Sequence, residues 1–540
     1  MTATFKVLIA RLQKVHGCFD REAIAETREC LHQLRTVALR RSAPLAAYHA
    51  CLLFLCAHPT DAAMLAQVES ELRRIASFMR RHTRPHGTAT DLVGLPYVKA
   101  VVQFSHDCLR WLLRHPHCRV TFEGYHGSAP DLNALLRATL PALEQAETNA
   151  GYTNDELLDA LGVKSARRLD FLVAELSRLD HTPQVKDHLF DALGVMAGVT
   201  PTHVAFSLAF NRLPIRELTF LTERLTSFDA LALMNRALPR ARRLGATGND
   251  EANRVIRNAM ALTARETDPA TYLDARSLQV FDLERGVSVA IFGMTPERQL
   301  ALESYVGFTV FRNGVPVAYG GAWVFGERAD FGMNVFDSYR GGESGYLMCQ
   351  LLRVYRQVFG IRYFEVDASQ FGLGNPEGID TGAFWFYYKY GFRPVDRELA
   401  RIARAEKQRL NATAGARSTR AVLTRFTGSS LALNFGGRAR APLYDVTARV
   451  TRMVSQAYRG NRPSAEQDCV TRFLAATRMR WPGDRHQRVS LAEFALVARS
   501  LRVTDAASLR LLRDMQRTKP VDVYRYQRAL TALLQRRRAR

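Results

Sequence analysis

No apolar run in this 540-residue chain reaches the roughly 18 residues that a membrane-spanning helix needs. The longest, AAYHACLLFLCAH around Cys51, is short and carries His49 and His58. The amino terminus, MTATFKVLIARLQKVHGCFD, lacks the long apolar stretch and small-residue cleavage site of a secretory signal, so the expectation is a cytoplasmic protein with no membrane span. Cysteine is sparse as well. Eight in a chain of this length, with no Cys-x-x-Cys pair, exclude a disulfide scaffold. RHPHC (His115, His117, Cys118) is the only tight group of candidate metal ligands, and with no fourth ligand in view no metal site is expected. Histidine is missing between Val204 and Arg485, which points to a carboxylate for any base in the middle of the chain.

Lysine is scarce too, 8 against 67 arginines. The net charge of +23 is unevenly placed: Arg401 to Arg540 hold 30 basic and 9 acidic residues, a surplus of 21 that leaves the first 400 residues almost neutral. Such a region suits nucleic acid, an anionic surface or an acidic partner. The arginines are nevertheless scattered through amphipathic helices rather than gathered into a reading surface.

What is present divides into three, in line with the two to four domains that the length allows. Residues 1–270 read as all-α. DAAMLAQVESELRRIASFMRR and SARRLDFLVAELSRLD carry apolar residues at helical spacing, and YTNDELLDALG offers Thr153 or Asn154 as a cap and Gly162 as a stop. Residues 271–396 change texture. GVSVAIFGM reads as a strand, Asn313-Gly314 joins two alternating apolar runs as a hairpin, and ADFGMNVFDSY is a further strand. A glycine turn, a helix over 344–359, a strand RYFEVDA, a helix ending FYYKYGF and a strand FRPV complete the block. In the helix over 344–359 the polar residues Gln350, Arg353, Arg356 and Gln357 form one narrow stripe, the only face left for water. Residues 397–540 return to a mainly helical, arginine-rich texture. The fold class is therefore α+β, a mixed sheet with flanking helices embedded between helical regions.

Two motifs carry a resemblance. YRGGESGYL resembles the Arg/Gln-x-x-Gly-x-Gly/Ala loop of the GNAT acyltransferase superfamily, with Arg340 opening it, Glu343 in the central glycine position and Gly345 last. DTGAFWFYYKYGFRPV is similar to the family's Asn-x-x-Ala-x-x-Leu-Tyr-x-x-x-Gly-Phe helix, with Asp380 in place of Asn, and Ala383, Phe386-Tyr387 and Gly391-Phe392 matching. The resemblance covers about residues 280–396 and implies a mixed sheet whose glycine turn binds the pyrophosphate of acetyl-CoA or another acyl-CoA.

Such a turn has the right chemistry. The first amides of a helix lack partners and carry partial positive charge, glycine lets an anion approach the backbone, and Arg340 can pair with a phosphate oxygen. Gly341, Gly342, Ser344 and Gly345 would complete that contact, and by the resemblance Asn334, Val335 and Phe336 would line the thioester. Glu343 conflicts with this, because a carboxylate competes with phosphate for the same amides. Transfer to an amine also needs a base and a proton donor. Asp330 and Glu365, with Glu327 and Asp367 beside them, are the candidate bases; Tyr387 aligns with the family's general acid. The loop FGLGNPEGI offers Gln370, Asn375 and Glu377 to an acceptor. The readings are an acyl-CoA-dependent N-acyltransferase, a non-catalytic scaffold or binding protein of the same fold with a degenerate cofactor turn, and a nucleic-acid-associated protein using the basic region.

Overall fold

The computed structural model describes residues 2–82, 94–126, 131–225, 227–242, 244–265, 267–437 and 443–538. Four helices open the chain: α1 (Thr2–Val15), α2 (Arg21–Leu34), α3 (Ala43–Ala57) and α4 (Ala62–Arg81). Asp20 and Asp61 cap α2 and α4 by accepting a backbone amide three residues on. In α4, Met64, Val68, Leu72, Ile75 and Met79 fall on one face and are all buried. α3 is apolar nearly all round because it lies between its neighbours and the main sheet, and its core is continuous with that of the sheet.

The expectation of an all-α region over 1–270 is corrected by three strands: β1 (Ala100–Gln103), β2 (Cys118–Tyr125) and β3 (Val195–Pro201), an antiparallel sheet in the order β1-β3-β2. They were hard to see for a physical reason. β1 has only four residues, the alternation of Cys118, Val120 and Phe122 with Arg119, Thr121 and Glu123 in β2 is short and set among helical patterns, and the strand both pair with lies far along the chain. Helices between these strands build a second core, and Thr153 caps the helix Asn154–Ala160 with Glu156 completing a capping box.

The main sheet has eight strands: β4 (Gln279–Asp282), β5 (Val287–Gly293), β6 (Ser304–Arg312), β7 (Val315–Phe325), β8 (Arg328–Val335), β9 (Tyr363–Val366), β10 (Arg393–Pro394) and β11 (Leu431–Asn434). Their order is β10-β11-β9-β8-β7-β6-β5-β4, antiparallel except for β8 beside β9. The β6–β7 hairpin turns at Asn313 (φ 48°) and Gly314 (φ 79°), as the sequence anticipated. The turn also anchors the layers. The Asn313 amide donates to Ala57 O and Thr219 O, and a Cβ on Gly314 would stand 2.3 Å from Leu213 O.

Two further differences follow. The sheet does not end at residue 396: the interruption FTGSSLALNFGG contains β11, inserted between β9 and β10. The polar stripe on the helix Ser344–Phe359 faces water only toward its end, where Gln357 is exposed and Arg356 half-buried. Gln350 and Arg353 are buried, because an extended segment around Arg236–Leu238 runs across that stripe and pairs with it.

Five helices (Leu443–Tyr458, Arg462–Thr477, Arg485–Ser500, Ala506–Thr518, Val523–Arg538) form a third core. The last docks them on the sheet. Tyr524 stacks on Phe359 at 5.4 Å and donates to Ser277 O, and Gln527 donates to Val324 O. No helix of the described residues is long and apolar enough to cross a membrane.

Candidate functional site at the glycine turn

β8 ends at Val335, the chain makes a 3-10 turn over Asp337–Tyr339, Gly341 takes φ +82°, and the helix begins at Ser344. Glu343 is the last residue before the helix and points inward, its side chain 4% exposed. Its carboxylate accepts from Arg285 Nη2 at 2.6 Å, from Arg312 Nη2 at 2.8 Å and from the Leu225 amide at 2.8 Å. Burial alone would raise its pKa. The Arg285 hydrogen bonds and the Arg312 charge outweigh burial and hold it below the usual carboxylate range.

Arg312 is fully buried, with Nε and Nη1 lacking partners among the described residues. Beside it His58 is pushed down to about 3, by burial first and by the Arg312 charge second, so its ring is neutral. A Cβ on Gly342 would meet Tyr339 O at 3.3 Å, the His58 ring at 3.4 Å and Phe54 at 3.6 Å, so α3 packs directly on the turn.

The residues assigned to the cofactor are distributed as follows. A Cβ on Gly345 would stand 1.8 Å from the Tyr390 hydroxyl, so that glycine seats a tyrosine. Phe228 stacks on Tyr390 at 5.8 Å and meets Tyr346 edge-on. Arg340 lies half in solvent, paired with Glu377 and, at 3.0 Å, with Asp337. Gly341 is exposed and Ser344 half-buried. Phe336 is buried against Tyr319, and Asn334 and Val335 oppose Tyr319 and Ala318 across β7. β8 pairs with β9 only from Arg328 to Asp330, and beyond that Gln370 lies 3.4 Å from where a Cβ on Gly332 would be.

Of the candidate catalytic residues, Asp330 and Glu365 stand opposite each other in register, with Arg328 bridging them at 2.9 Å to each. Ser430 donates to Glu365 at 2.5 Å. Tyr387 is buried among Phe371, Phe386 and Phe392, and burial pushes its phenol above the usual value. Asp367 caps the turn Ala368–Phe371, and Glu327 anchors the start of β9 by accepting the Tyr363 amide through its backbone carbonyl. Asn375 and Glu377 are taken by cap and ion-pair contacts. His115 packs against Phe206 and His117 against His203; no cluster of three candidate metal ligands occurs among the described residues.

Sequence reasoning missed Arg285, Arg312 and Glu303. Arg312 was within reach, since Val306, Phe308, Val310 and Arg312 alternate onto one face of β6, and a charge at the inward end of an apolar series needs a counter-charge. Arg285, at φ 61° between β4 and β5, has no such signal. Glu303 precedes β6, and its pKa is raised by burial first and by the Asp330 charge second. No protein-family model, curated protein or solved structure matches the chain.

Proposed function

We propose that the chain is a non-catalytic binding or scaffold protein in which an acyltransferase-like sheet joins helical modules and the former cofactor turn acts as a structural clasp. The observation that carries this reading is the Glu343 carboxylate. It is spent on Arg285, Arg312 and the Leu225 amide, which ties the helix start to β6, to the β4–β5 turn and to the chain at Leu225. The other turn residues agree. Gly342 makes room for α3, Gly345 for Tyr390, and Arg340 is already paired. A pyrophosphate needs open amides and a free cation, and these residues fit it poorly.

An N-acyltransferase is the second reading, favoured by two observations. β8 and β9 part after three paired residues, which leaves an edge of β8 free beside the turn. The inward Glu343 also leaves Gly341 and Ser344 on the outer side. In that reading acyl-CoA would lie on the outer side of the turn and the amine acceptor would approach Asp330 and Glu365.

Calorimetric titration of acetyl-CoA, CoA and a longer acyl-CoA into wild type and Ser344→Glu separates the two. The clasp reading expects no saturable binding at the turn. Binding to wild type that disappears in folded Ser344→Glu would replace it with the acyltransferase reading.

A further inference from the structure

A large cavity lies away from the glycine turn. It is a cleft of about 770 Å3 where three parts of the molecule meet: the second core, the loop between β5 and β6, and the C-terminal helices. That volume is in the range of small-molecule sites, which favour junctions between domains.

Its charge is one-sided. Seven arginine and lysine side chains line it against three carboxylates. Part of this is internally balanced: Arg298 pairs with Asp107 at 2.7 Å and with Asp187 while stacking on Tyr272, Arg110 pairs with Asp107 at 3.3 Å, and Lys519 pairs with Glu493 at 2.8 Å. Four cations are left over. Arg114, Lys186, Arg257 and Arg485 have no carboxylate partner among the described residues. The remaining acid, Glu297, sits 3.3 Å from His486.

Arg257 is the most telling of the four. It comes from the helix Ala246–Thr263, donates to Ala270 O and Thr271 O, and lies 6.0 Å over the Trp111 ring. Burial lowers its pKa, so the fold holds a partly desolvated cation on the cleft wall with two backbone carbonyls and the Trp111 ring, but no carboxylate among the described residues, to offset it. A partly desolvated guanidinium with no counter-ion is costly, and a bound anion would offset that cost. Arg114 and Arg485 face the same space from opposite modules. Several arginines converging from different elements match a compact group with several oxygens and more than one negative charge.

We propose that this cleft is the binding site for a small, multiply charged phosphate-bearing molecule, held between Arg114 and Lys186 on one side, Arg485 on the other and Arg257 beneath. The basic surplus of the C-terminal region then has a direction, because Arg485 comes from that region and turns toward the nearly neutral body. The inference does not depend on how the glycine turn is read.

The test is titration of inorganic pyrophosphate, ATP and a single-stranded RNA oligonucleotide into the full chain at low and high salt. Expected are saturable binding of pyrophosphate or ATP that weakens with salt, and a loss of about tenfold or more in affinity when Arg114→Glu is combined with Arg485→Glu. Both side chains are exposed, and Arg114→Ala with Arg485→Ala is the milder pair should charge reversal unfold the protein. Arg397→Glu with Arg404→Glu, exposed and outside the cleft, is the charge-matched control and should leave affinity within about twofold. The proposal fails if neither phosphate compound binds, if both variant pairs weaken binding equally, or if RNA binds more tightly than either. CoA binding that persists in Ser344→Glu but falls with the Arg114 and Arg485 changes belongs to this cleft and supports it.

Discussion

Arg312 at the end of β6 and Glu343 just before the helix Ser344–Phe359 stand 2.8 Å apart with both side chains buried. Arg285 shares the carboxylate from the β4–β5 turn, so one negative charge serves two cations. Such a group is tolerated inside a protein only while every member is present.

Glu343→Gln keeps the shape and removes the charge, leaving the fully buried Arg312 without a counter-ion. We expect a loss of about 3–5 kcal/mol in chemical denaturation. Arg312→Met combined with Glu343→Leu should be less damaging than Glu343→Gln alone, because it removes both buried charges. A cost for Glu343→Gln no larger than about 1 kcal/mol, typical of an exposed pair, would show that the group is not a clasp.

The same carboxylate sets a pH dependence. Its folded pKa lies below the unfolded one, so its contribution is full above the ordinary carboxylate value of about 4.3 and is lost as pH falls through the lower folded value. The stability gap between wild type and Glu343→Gln should therefore be constant from about pH 7 to 5 and shrink toward about pH 3. A gap that stays constant into acid would contradict the assignment.

Gly345 and Tyr390 should behave as one unit. Gly345→Ala drives a methyl into the Tyr390 hydroxyl and should cost about 1–3 kcal/mol. Tyr390→Ala removes the obstacle, so the double variant should be more stable than the sum of the two singles implies. Strict additivity in urea unfolding would mean that the two residues do not press on each other.

Arg353 holds the segment that crosses the helix. It donates to Arg236 O at 2.9 Å and pairs with Glu284 at 2.8 Å, and with Gln350 and Arg236 it keeps that carboxylate at about 2 against the opposing effect of burial. Arg353→Met should release the segment, and limited trypsin digestion followed by mass spectrometry should find earlier cleavage after Arg236 or Arg240. An unchanged digestion pattern would assign the anchoring to other contacts, such as Gln357 with Leu238.

Much of the middle of the chain was legible from short-range pattern. The apolar alternation of β5 to β8, the Asn313-Gly314 turn and the helix from Ser344 to Phe359 all depend on neighbours two to four residues apart, and the chain adopts them there. The small sheet was missed: β1 has only four residues, β3 is a mostly buried run without polar alternation, and the one local signal, the alternation over residues 118–123 in β2, gains meaning only from partners far along the chain.

The glycine turn marks the boundary between the two kinds of information. Residue order alone set a strand, a turn and a helix start at 336–345, along with the conflict posed by an acid among the glycines. Which way Glu343 points depends on Arg285, Arg312 and the Leu225 amide, which lie 31 to 118 residues away. Gln350 and Arg353 likewise read as a wetted stripe until the Arg236–Leu238 segment covers them. A buried charge is paired only where the folded chain brings its counter-charge, and that distance in sequence is invisible to any local pattern.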